Sequence, residues 1–320
     1  MLRISLICDG KAGDLAQLRG IADAINAIEP CDATFHTIAP RKLYAAFMPY
    51  GPVDPRDGAC LAPPFPDIAI GSGRRAVAYV RAIKKRHPQS FIAFLKDPRF
   101  ARGEFDFLWL PTHDRADGDN IFKTATSPHG LSEQALAEAR TSAAKRFPSQ
   151  GKPRVLVLLG GPTKGYDYPA SLAQELAQEL KASAHDYELM IVPSRRTPDF
   201  FMQALTEALD GAASYIWDRV SENPYRELMA TANVIIAPGD SHNMVSEALA
   251  TEAQVFIFAP QGANTKLDAF RNEVLAQGLA KMFDELPAPA QLTCRQPYDA
   301  TLIIARALMQ AFNSRAASHG

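Results

Sequence analysis

The chain has 320 residues and a hydrophobic fraction of 47%, the proportions of a soluble globular protein long enough for two domains. Its 34 basic and 35 acidic residues nearly cancel, which argues against a dedicated nucleic-acid binder. The apolar runs are far shorter than the ~18–20 residues of a membrane-spanning helix, and the apolar start reaches Asp9 too soon for a secretory signal. We therefore expect a cytoplasmic protein.

The first half alternates predicted strands with helical patterns. A strand at residues 4–8 is followed by an apolar stripe at helical spacing, where Asp14-x-x-Gln17 resembles a capping pair that opens a helix. Further strands are predicted at residues 33–38, 66–70, 90–94 and 105–110, and helices near residues 74–86 and 136–146. Basic residues outnumber acidic ones in this half, which favours an anionic partner.

The second half repeats the alternation more clearly. Strands are predicted at residues 154–159, 187–192, 213–217, 233–237 and 254–258, with amphipathic helices between them and a final helix near residues 300–312. Short apolar strands alternating with such helices predict an α/β fold with a doubly wound parallel sheet. Turn residues at positions 148–153 place the boundary between domains 1–149 and 150–320.

Polar or glycine-rich loops follow four of the predicted strands. In doubly wound sheets, ligands bind at the carboxyl ends of the strands, where helix N-termini present free N–H groups. The four loops are Asp9-Gly10-Lys11-Ala12-Gly13, Gly160-Gly161-Pro162-Thr163-Lys164-Gly165, Ser194-Arg195-Arg196-Thr197 and Asp240-Ser241-His242-Asn243. The two adjacent arginines, with a hydroxyl on each side, suit a diphosphate. Ser246 and Glu247 lie within two turns of a helix start and close to a ligand bound there.

These segments resemble the mitochondrial-fission "elongated mitochondria" family, which also has bacterial members. The specific blocks are Asp9-Gly10-Lys11-Ala12-Gly13 and Asp240-Ser241 followed by Met244-Val245-Ser246-Glu247-Ala248. The resemblance extends over residues 4–283. It departs from the family pattern at His242-Asn243, where a small apolar residue and a serine are usual, and at Lys281, where an arginine is usual.

The resemblance implies a glycosyltransferase B type of fold, in which two doubly wound Rossmann-like domains face each other across a cleft and the final helix packs back toward the first domain. The second domain would hold a nucleotide-diphosphate sugar and the first domain the acceptor. By similarity to the peptidoglycan N-acetylglucosaminyltransferase, a distant relative, residues 160–163 would lie by the phosphates and Glu247 would hold the ribose. Residues 10–13 would face the acceptor and the diphosphate.

A sugar transfer without a metal needs cations for the leaving diphosphate and a general base for the acceptor hydroxyl. Asp9 is the first candidate for the base, and Asp240 and His242 come next. We expect no cofactor beyond the nucleotide-sugar substrate. The candidate ligand-binding residues are Gly10, Lys11, Gly13, Gly160, Gly161, Thr163, Lys164, Ser194, Arg195, Arg196, Thr197, Ser241, Asn243, Ser246 and Glu247.

Two alternatives to this function remain open, together with one question of location. The plant members of the family recruit a dynamin-related protein, so the fold could serve as a non-enzymatic adaptor. A nucleotide-sugar epimerase fits the ligand, but the first loop lacks G-x-G-x-x-G. The basic cluster at residues 81–86 and the apolar stretch at residues 43–48 could dock the first domain on an anionic surface such as the inner membrane. Alternatively, they are a helix C-terminus and part of the core.

Overall fold

The protein, represented by a computed structural model that describes residues 1–319, divides into two α/β units. The first unit is Met1–Gly130 together with the residues after Tyr298, and the second is Leu131–Tyr298. The division falls before the predicted boundary at residue 149, because the helix at Glu133–Arg146 packs on the helix at Tyr225–Thr231 of the second unit.

The first unit is built on a six-stranded parallel sheet in the order β2-β1-β3-β4-β5-β6. Its strands are β1 (Leu2–Cys8), β2 (Cys31–Thr37), β3 (Ile68–Ser72), β4 (Phe91–Leu95), β5 (Phe107–Pro111) and β6 (Ile121–Thr124), and its first helices are α1 (Ala12–Ile28), α2 (Lys42–Ala46) and α3 (Ala76–Arg86). The chain winds outward from β1 in one direction and from β3 in the other. The topological switch point therefore lies between β1 and β3.

Helix α1 begins differently from the prediction. It starts at Ala12 with Lys11 in the N-cap position, and no side chain caps it. Asp14 and Gln17 lie inside the helix and are buried, so the predicted capping pair is wrong. The reason is tertiary, because the carboxylate of Asp14 bonds to side chains at the ends of two other strands of the sheet.

The second unit has a parallel sheet in the order β10-β9-β7-β11-β12-β14 and a two-stranded antiparallel ladder of β8 and β13. Its strands are β7 (Arg154–Leu159), β8 (Tyr166–Asp167), β9 (Glu188–Pro193), β10 (Tyr215–Ile216), β11 (Val234–Pro238), β12 (Gln254–Phe258), β13 (Gln261–Gly262) and β14 (Lys281–Met282). Its helices are α4 (Glu133–Arg146), α5 (Ala170–Ser183), α6 (Asp199–Leu209), α7 (Tyr225–Thr231), α8 (His242–Leu249) and α9 (Thr265–Ala276). The switch point lies between β7 and β11.

Both faces of the second sheet are covered, as the continuous apolar strands predict. Along β7, Val155 and Val157 belong to one hydrophobic core, whereas Leu156 and Leu158 belong to the other. Successive side chains of a strand point to opposite faces, so a strand buried on both sides is apolar at every position. The doubly wound α/β fold is thereby confirmed in both halves of the chain.

The last helix, α10 (Ala300–His319), belongs to the first unit. The hydroxyl of Thr301 accepts a hydrogen bond from the backbone N–H of His129 (2.8 Å) and lies 3.1 Å from the carbonyl oxygen of the same residue. The ring of Phe312 packs edge-on against Phe91 at a centroid distance of 5.6 Å. The final helix therefore completes the core of the first unit.

Candidate functional site

The β7/β11 switch point of the second unit is organised around the carboxylate of Asp240, which follows β11. Its side chain is fully buried. Oδ2 pairs with Nη2 of Arg196 at 2.8 Å and accepts a longer bond from the N–H of Gly161 at 3.4 Å. Oδ1 accepts a hydrogen bond from the hydroxyl of Tyr168. Asp240 therefore joins the loops that follow β7, β9 and β11 into one structure.

The two glycines after β7 are required by this packing. A Cβ on Gly160 would lie 2.0 Å from Oδ1 of Asp240, and a Cβ on Gly161 would lie 2.2 Å from the carbonyl oxygen of Arg196. Both distances are far below van der Waals contact, so no side chain fits at either position. The glycine loop was predicted to approach a ligand; within the unit it also allows the three loops to approach one another.

The hydroxyl groups of the loop after β9 are used to hold that loop in place. Ser194 donates to the carbonyl of Gly160 at 3.0 Å, and Thr197 donates to the carbonyl of Leu159 at 3.1 Å. The guanidinium of Arg196 donates through Nη1 to the carbonyl of Gly161 at 2.9 Å. These three predicted ligand residues therefore position the loop, and of the three only Arg196 is also substantially exposed, at 42%.

Two cations at this edge have no carboxylate partner within residues 1–319. Arg195 and Lys164 are both exposed, one in the loop after β9 and the other in the loop after β7. The hydroxyl oxygen of Thr163, next to Lys164, is buried without a hydrogen-bond partner. The loops therefore present uncompensated positive charge and an unused polar group at the carboxyl edge of the sheet.

The predicted residues at the start of α8 have different surroundings. Ser241 is the N-cap, and its hydroxyl accepts a bond from the N–H of Met244 at 3.4 Å. Asn243 is exposed in the first turn, whereas the ring of His242 packs against Phe270 at a centroid distance of 3.8 Å. Ser246 is completely buried and donates to the carbonyl of His242 at 2.8 Å. The predicted ligand contact of Ser246 does not fit this arrangement, because its hydroxyl faces into the unit.

Glu247 forms a partly buried pair with Tyr225, a residue that the sequence analysis did not predict. The hydroxyl of Tyr225, at the first position of α7, donates to Oε2 of Glu247. Burial raises the pKa of the Glu247 carboxyl, and the hydrogen bond from Tyr225 opposes the rise. Burial also raises the pKa of the tyrosine itself, so the hydroxyl stays protonated. Tyr225 follows Pro224, a helix-start signal that the prediction did not use.

A short antiparallel ladder joins the segment after β7 to the segment after β12, and the sequence analysis did not predict it. Strands β8 and β13 pair across two residues each. A Cβ on Gly165 would lie 2.2 Å from the carbonyl oxygen of Ala263, so the two backbones touch. The side chain of Tyr166 in β8 also bonds to α9, because its hydroxyl donates to Asp268. Two-residue strands carry no periodic signal that a sequence pattern could reveal.

The β1/β3 switch point of the first unit holds the other predicted loop. Asp9 follows β1, and its Oδ2 pairs with the ammonium of Lys11 at 3.0 Å. Gly10 has a φ of +80°, a left-handed conformation that favours glycine, and Gly13 lies in the first turn of α1. Lys11 is exposed, whereas the side chain of Asp9 is only 4% exposed.

A second carboxylate at the same switch point was not predicted as a site residue. Oδ1 of Asp14 accepts a hydrogen bond from Ser72 at 2.8 Å and pairs with Lys96 at 2.7 Å. Ser72 ends β3, and Lys96 directly follows β4 with a φ of +113°. Ligands of doubly wound sheets bind at the carboxyl ends of the strands. Lys96 comes directly after the buried strand β4, so the sequence could have identified it as a site residue in the same way as the loops after the other strands.

Two consecutive doubly wound units with polar loops at their switch points define an α/β fold of the glycosyltransferase B class. The profile of the family described as "Mitochondrial fission ELM1" matches residues 12–312. The chain belongs to that family, as its motifs predicted.

Two relatives each match about two thirds of the chain. The chain is 23% identical over 244 residues to "Mitochondrial fission protein ELM1" of Arabidopsis thaliana, covering 68% of this chain and 57% of the plant protein. It is 26% identical over 258 residues to "Uncharacterized protein RP120" of Rickettsia prowazekii (strain Madrid E), covering 69% of this chain and 72% of that one. The chain thus spans little more than half the length of the plant relative.

Solved structures with similar folds are distant in sequence. The UDP-GlcNAc 2-epimerase from Methanocaldococcus jannaschii matches with a TM-score of 0.56 at 14% identity over 97% of this chain and all (100%) of that one. The S. aureus MnaA–UDP co-structure matches with a TM-score of 0.52 at 11% identity, over 99% of this chain and 97% of that one. The glycosyltransferase SnogD from Streptomyces nogalater matches with a TM-score of 0.51 at 13% identity, over 98% of this chain and 95% of that one. At these identities the likeness shows the fold alone.

Proposed function

We propose that the second unit binds the diphosphate of a nucleotide sugar at its β7/β11 switch point and that the protein transfers the sugar to a hydroxyl acceptor. The observation that carries the proposal is the pair of exposed cations there, Arg195 and Lys164, which have no carboxylate partner in the described part of the chain. They lie in the loops that Asp240 and Arg196 join together. A pyrophosphate is the ligand whose charge these cations would offset.

The glycines alone would not support this function, because packing against Asp240 and Arg196 already accounts for them. The free cations and Glu247 have no such explanation. Burial raises the pKa of this partly buried carboxyl, so its charged form costs free energy on folding, and Oε1 of Glu247 is not engaged by Tyr225. Ribose hydroxyls are donors that match such an oxygen. UDP and UDP-GlcNAc, named for two proteins of the same fold, are the first ligands to test.

The test is a titration of the full chain with UDP, ADP, GDP and UDP-GlcNAc, followed by calorimetry and thermal unfolding. At 100 times its dissociation constant, a specific ligand should stabilise the folded protein by about 2.7 kcal/mol. The double variant Arg195→Gln/Lys164→Gln should weaken binding by about tenfold or more, because two charge-assisted contacts are lost.

The matched control is Lys152→Gln, which removes an exposed cation at the amino end of the same sheet, next to the start of β7. It should leave the affinity unchanged. A flat response of the wild-type protein to the whole panel would contradict the proposal and favour the non-enzymatic adaptor.

Sugar transfer also requires a base, and Asp9 at the switch point of the first unit is our candidate. Asp240 is a weaker one, because Arg196, Tyr168 and Gly161 already engage its oxygens. We expect Asp9→Asn to abolish release of the nucleoside diphosphate during turnover while leaving nucleotide binding intact. Unchanged turnover in this variant would remove Asp9 from the mechanism.

The predicted anionic membrane surface remains a proposal, which keeps the apolar stretch at residues 43–48 but not the basic cluster at residues 81–86. Three of the basic side chains at the end of α3 are engaged within the unit: Arg81 pairs with Glu104, Lys84 pairs with Asp106, and Arg86 donates to the carbonyl of Leu61. No helix within residues 1–319 has an apolar stretch long enough to cross a bilayer.

Exposed apolar side chains nearby offer a better docking surface. Leu43 lies in α2, and Phe47 follows the helix one turn later; both are exposed. The ring of Tyr50 packs edge-on against Phe100 at a centroid distance of 4.7 Å. Lys42 and Arg99, both exposed, adjoin these residues in sequence, so the patch combines apolar area with positive charge. This combination suits the surface of an anionic bilayer.

Sedimentation with phosphatidylglycerol vesicles should therefore pellet the protein, and phosphatidylcholine vesicles should not. The double variant Leu43→Ser/Phe47→Ser should lose most of this binding. Phe200→Ser is the control, because that side chain is equally apolar and exposed but lies on α6 of the second unit. Equal pelleting with both lipids, or none with either, contradicts the membrane proposal.

A further inference from the structure

Strand β2 forms a long edge of the sheet in the first unit. It has seven residues, whereas the other edge strands of the two six-stranded sheets, β6, β10 and β14, have four, two and two. No residue of β2 is buried, and its largest side chain, Phe35, is 39% exposed. Proteins usually shorten such an edge or place lysine or proline on it, because its unpaired backbone groups can bind another strand. The segment Cys31–Thr37 contains neither lysine nor proline, and it is the longest of the four edges.

The backbone groups of alternate residues point outward from this edge. The N–H of Ile38, which follows the strand, donates to the carbonyl of Cys8 in β1 at 2.9 Å, so the even-numbered residues of β2 bond to β1. The N–H of Cys31 points the other way, to the side chain of Asn26 at 3.0 Å, which agrees with this alternation. The other outward-facing residues are Ala33, Phe35 and Thr37. Within residues 1–319, no hydrogen bond is formed to their outward-facing backbone groups.

Carboxylates are concentrated where β2 begins. Burial raises the pKa of the Cys31 thiol there, and three nearby carboxylates raise it further. They belong to Asp32, Asp23 and Glu29. Asp32 is itself an exposed residue of the strand. The start of the edge is therefore acidic.

Basic groups lie toward the other end of the strand. The guanidinium of Arg19 in α1 lies 5.6 Å from the ring centroid of Phe35, and His36 is the next residue. Two further cations, one beside each end, already have carboxylate partners: Lys11 is paired with Asp9, and Arg3 with Asp67. An edge that is acidic at its start and basic toward its end is complementary to an identical edge that runs antiparallel to it.

The residues of β2 also match one another in one antiparallel register. A two-fold axis at Thr34 places Asp32 opposite His36 of the second copy, and Ala33 opposite Phe35. Ala33 and Phe35 both have outward-facing backbone groups, so they can exchange two hydrogen bonds on each side of the axis. A register centred on either neighbouring residue leaves two residues of the strand unpaired and separates Asp32 from His36.

We propose that the outer edge of β2 pairs with β2 of a second copy of this chain, antiparallel and centred on Thr34. The six-stranded sheets of the two first units then form one continuous sheet. The imidazole of His36, which can donate an N–H whether neutral or charged, bonds to Asp32 of the other copy. The exposed ring of Phe35 packs opposite the small side chain of Ala33. The inference rests on the strand edge and is independent of the proposed sugar transfer.

The test is sedimentation velocity on the full chain over a range of protein concentrations, where we expect a reversible dimer. Thr34→Lys and Thr34→Glu each place two like charges opposite one another at the axis, so each should raise the dissociation constant of the dimer by about tenfold or more. An equimolar mixture of the two variants should dimerise again, because opposite charges then meet at the axis. The matched control is Thr206→Lys, which makes the same exchange at an exposed position of α6 in the second unit and should dimerise like the wild type.

Asp32 tests the register. Asp32→Asn should raise the dissociation constant of the dimer by about threefold, because a charge-assisted hydrogen bond to His36 becomes a neutral one. Asp32→Glu keeps the carboxylate and should restore the wild-type dimer. A neutral amide that leaves the dimer unchanged would contradict the register.

The proposal is overturned if the wild-type chain stays monomeric at every concentration, or if both Thr34 variants dimerise as the wild type does, since another surface would then form the dimer. It is also overturned if the two folded variants remain monomeric when mixed. Circular dichroism and thermal unfolding of the variants show whether they are folded, and we expect both to be, because Thr34 is exposed.

Discussion

The two switch points use buried carboxylates in different ways. In the second unit, Asp240 has both oxygens engaged, by Arg196 and Tyr168, and so it fixes the loops around it. In the first unit, Asp9 keeps one buried oxygen unpaired, while Asp14 is held by Lys96. Carboxylates at the switch points of two similar sheets thus have different surroundings, one after β1 and the other after β11. One carboxylate positions an arginine, and the other keeps one buried oxygen without a hydrogen-bond partner.

The glycines at the two switch points provide the strongest test of this difference. Gly160→Ala should destabilise the protein by about 3 kcal/mol, because the added methyl group would lie 2.0 Å from a carboxylate that Arg196 and Tyr168 hold in place. Gly73→Ala should cost only about 1 kcal/mol, chiefly from its left-handed backbone. Urea unfolding measures both. Equal losses would show that Asp240 moves freely, contrary to its role as the organiser of the loops.

Removing the cation that pairs with each carboxylate should also cost more stability in the second unit than in the first. We expect Arg196→Gln to cost about 2 kcal/mol, less than the loss for a fully buried pair, because the arginine is 42% exposed while Asp240 is not exposed at all. Lys96→Met should cost about 1 kcal/mol, since Ser72 still donates to Asp14. Lys152→Gln, at the opposite edge of the second sheet, should stay within about 0.5 kcal/mol. A larger loss for Lys96→Met than for Arg196→Gln would reverse the comparison.

The last effect concerns Glu247, and its size depends on pH. Because burial raises the pKa of this carboxyl, the folded state holds the proton more tightly than the unfolded chain does. The contribution of Glu247 to stability is therefore lost as the pH rises from the unfolded pKa of about 4.3 through the raised folded value. Glu247→Gln should match the wild type at low pH and melt at a higher temperature at neutral pH.

The same variant should bind UDP about tenfold more weakly, because a neutral amide is a poorer acceptor for ribose hydroxyls than a carboxylate. Thermal unfolding at several pH values and calorimetry at neutral pH check the two parts. If the stability gained by the variant over the wild type is no larger at neutral pH than at low pH, the carboxyl carries no folding cost.

The sequence predicted most of the fold because its strands are strongly apolar and regularly spaced. Strands β7 and β12 lie at the predicted residues, and β9 and β11 differ from prediction by one residue at each end. The two-residue strands β8, β13 and β14 were missed, since strands this short carry no periodic signal. Prediction of the site was correspondingly partial. The loops were found, but the internal hydrogen bonds of Ser194 and Thr197 were not.

By itself, the sequence determined the α/β class, the polar loops at strand ends and membership of the family, because periodicity and short motifs are local properties. Only the tertiary structure decided that Asp14, Ser72 and Lys96 meet, or that Tyr168 and Arg196 share Asp240. The physical reason is the order of the strands. Residues at the carboxyl ends of β1, β3 and β4 become neighbours through parallel pairing in the sheet, and spacing along the chain does not encode that order.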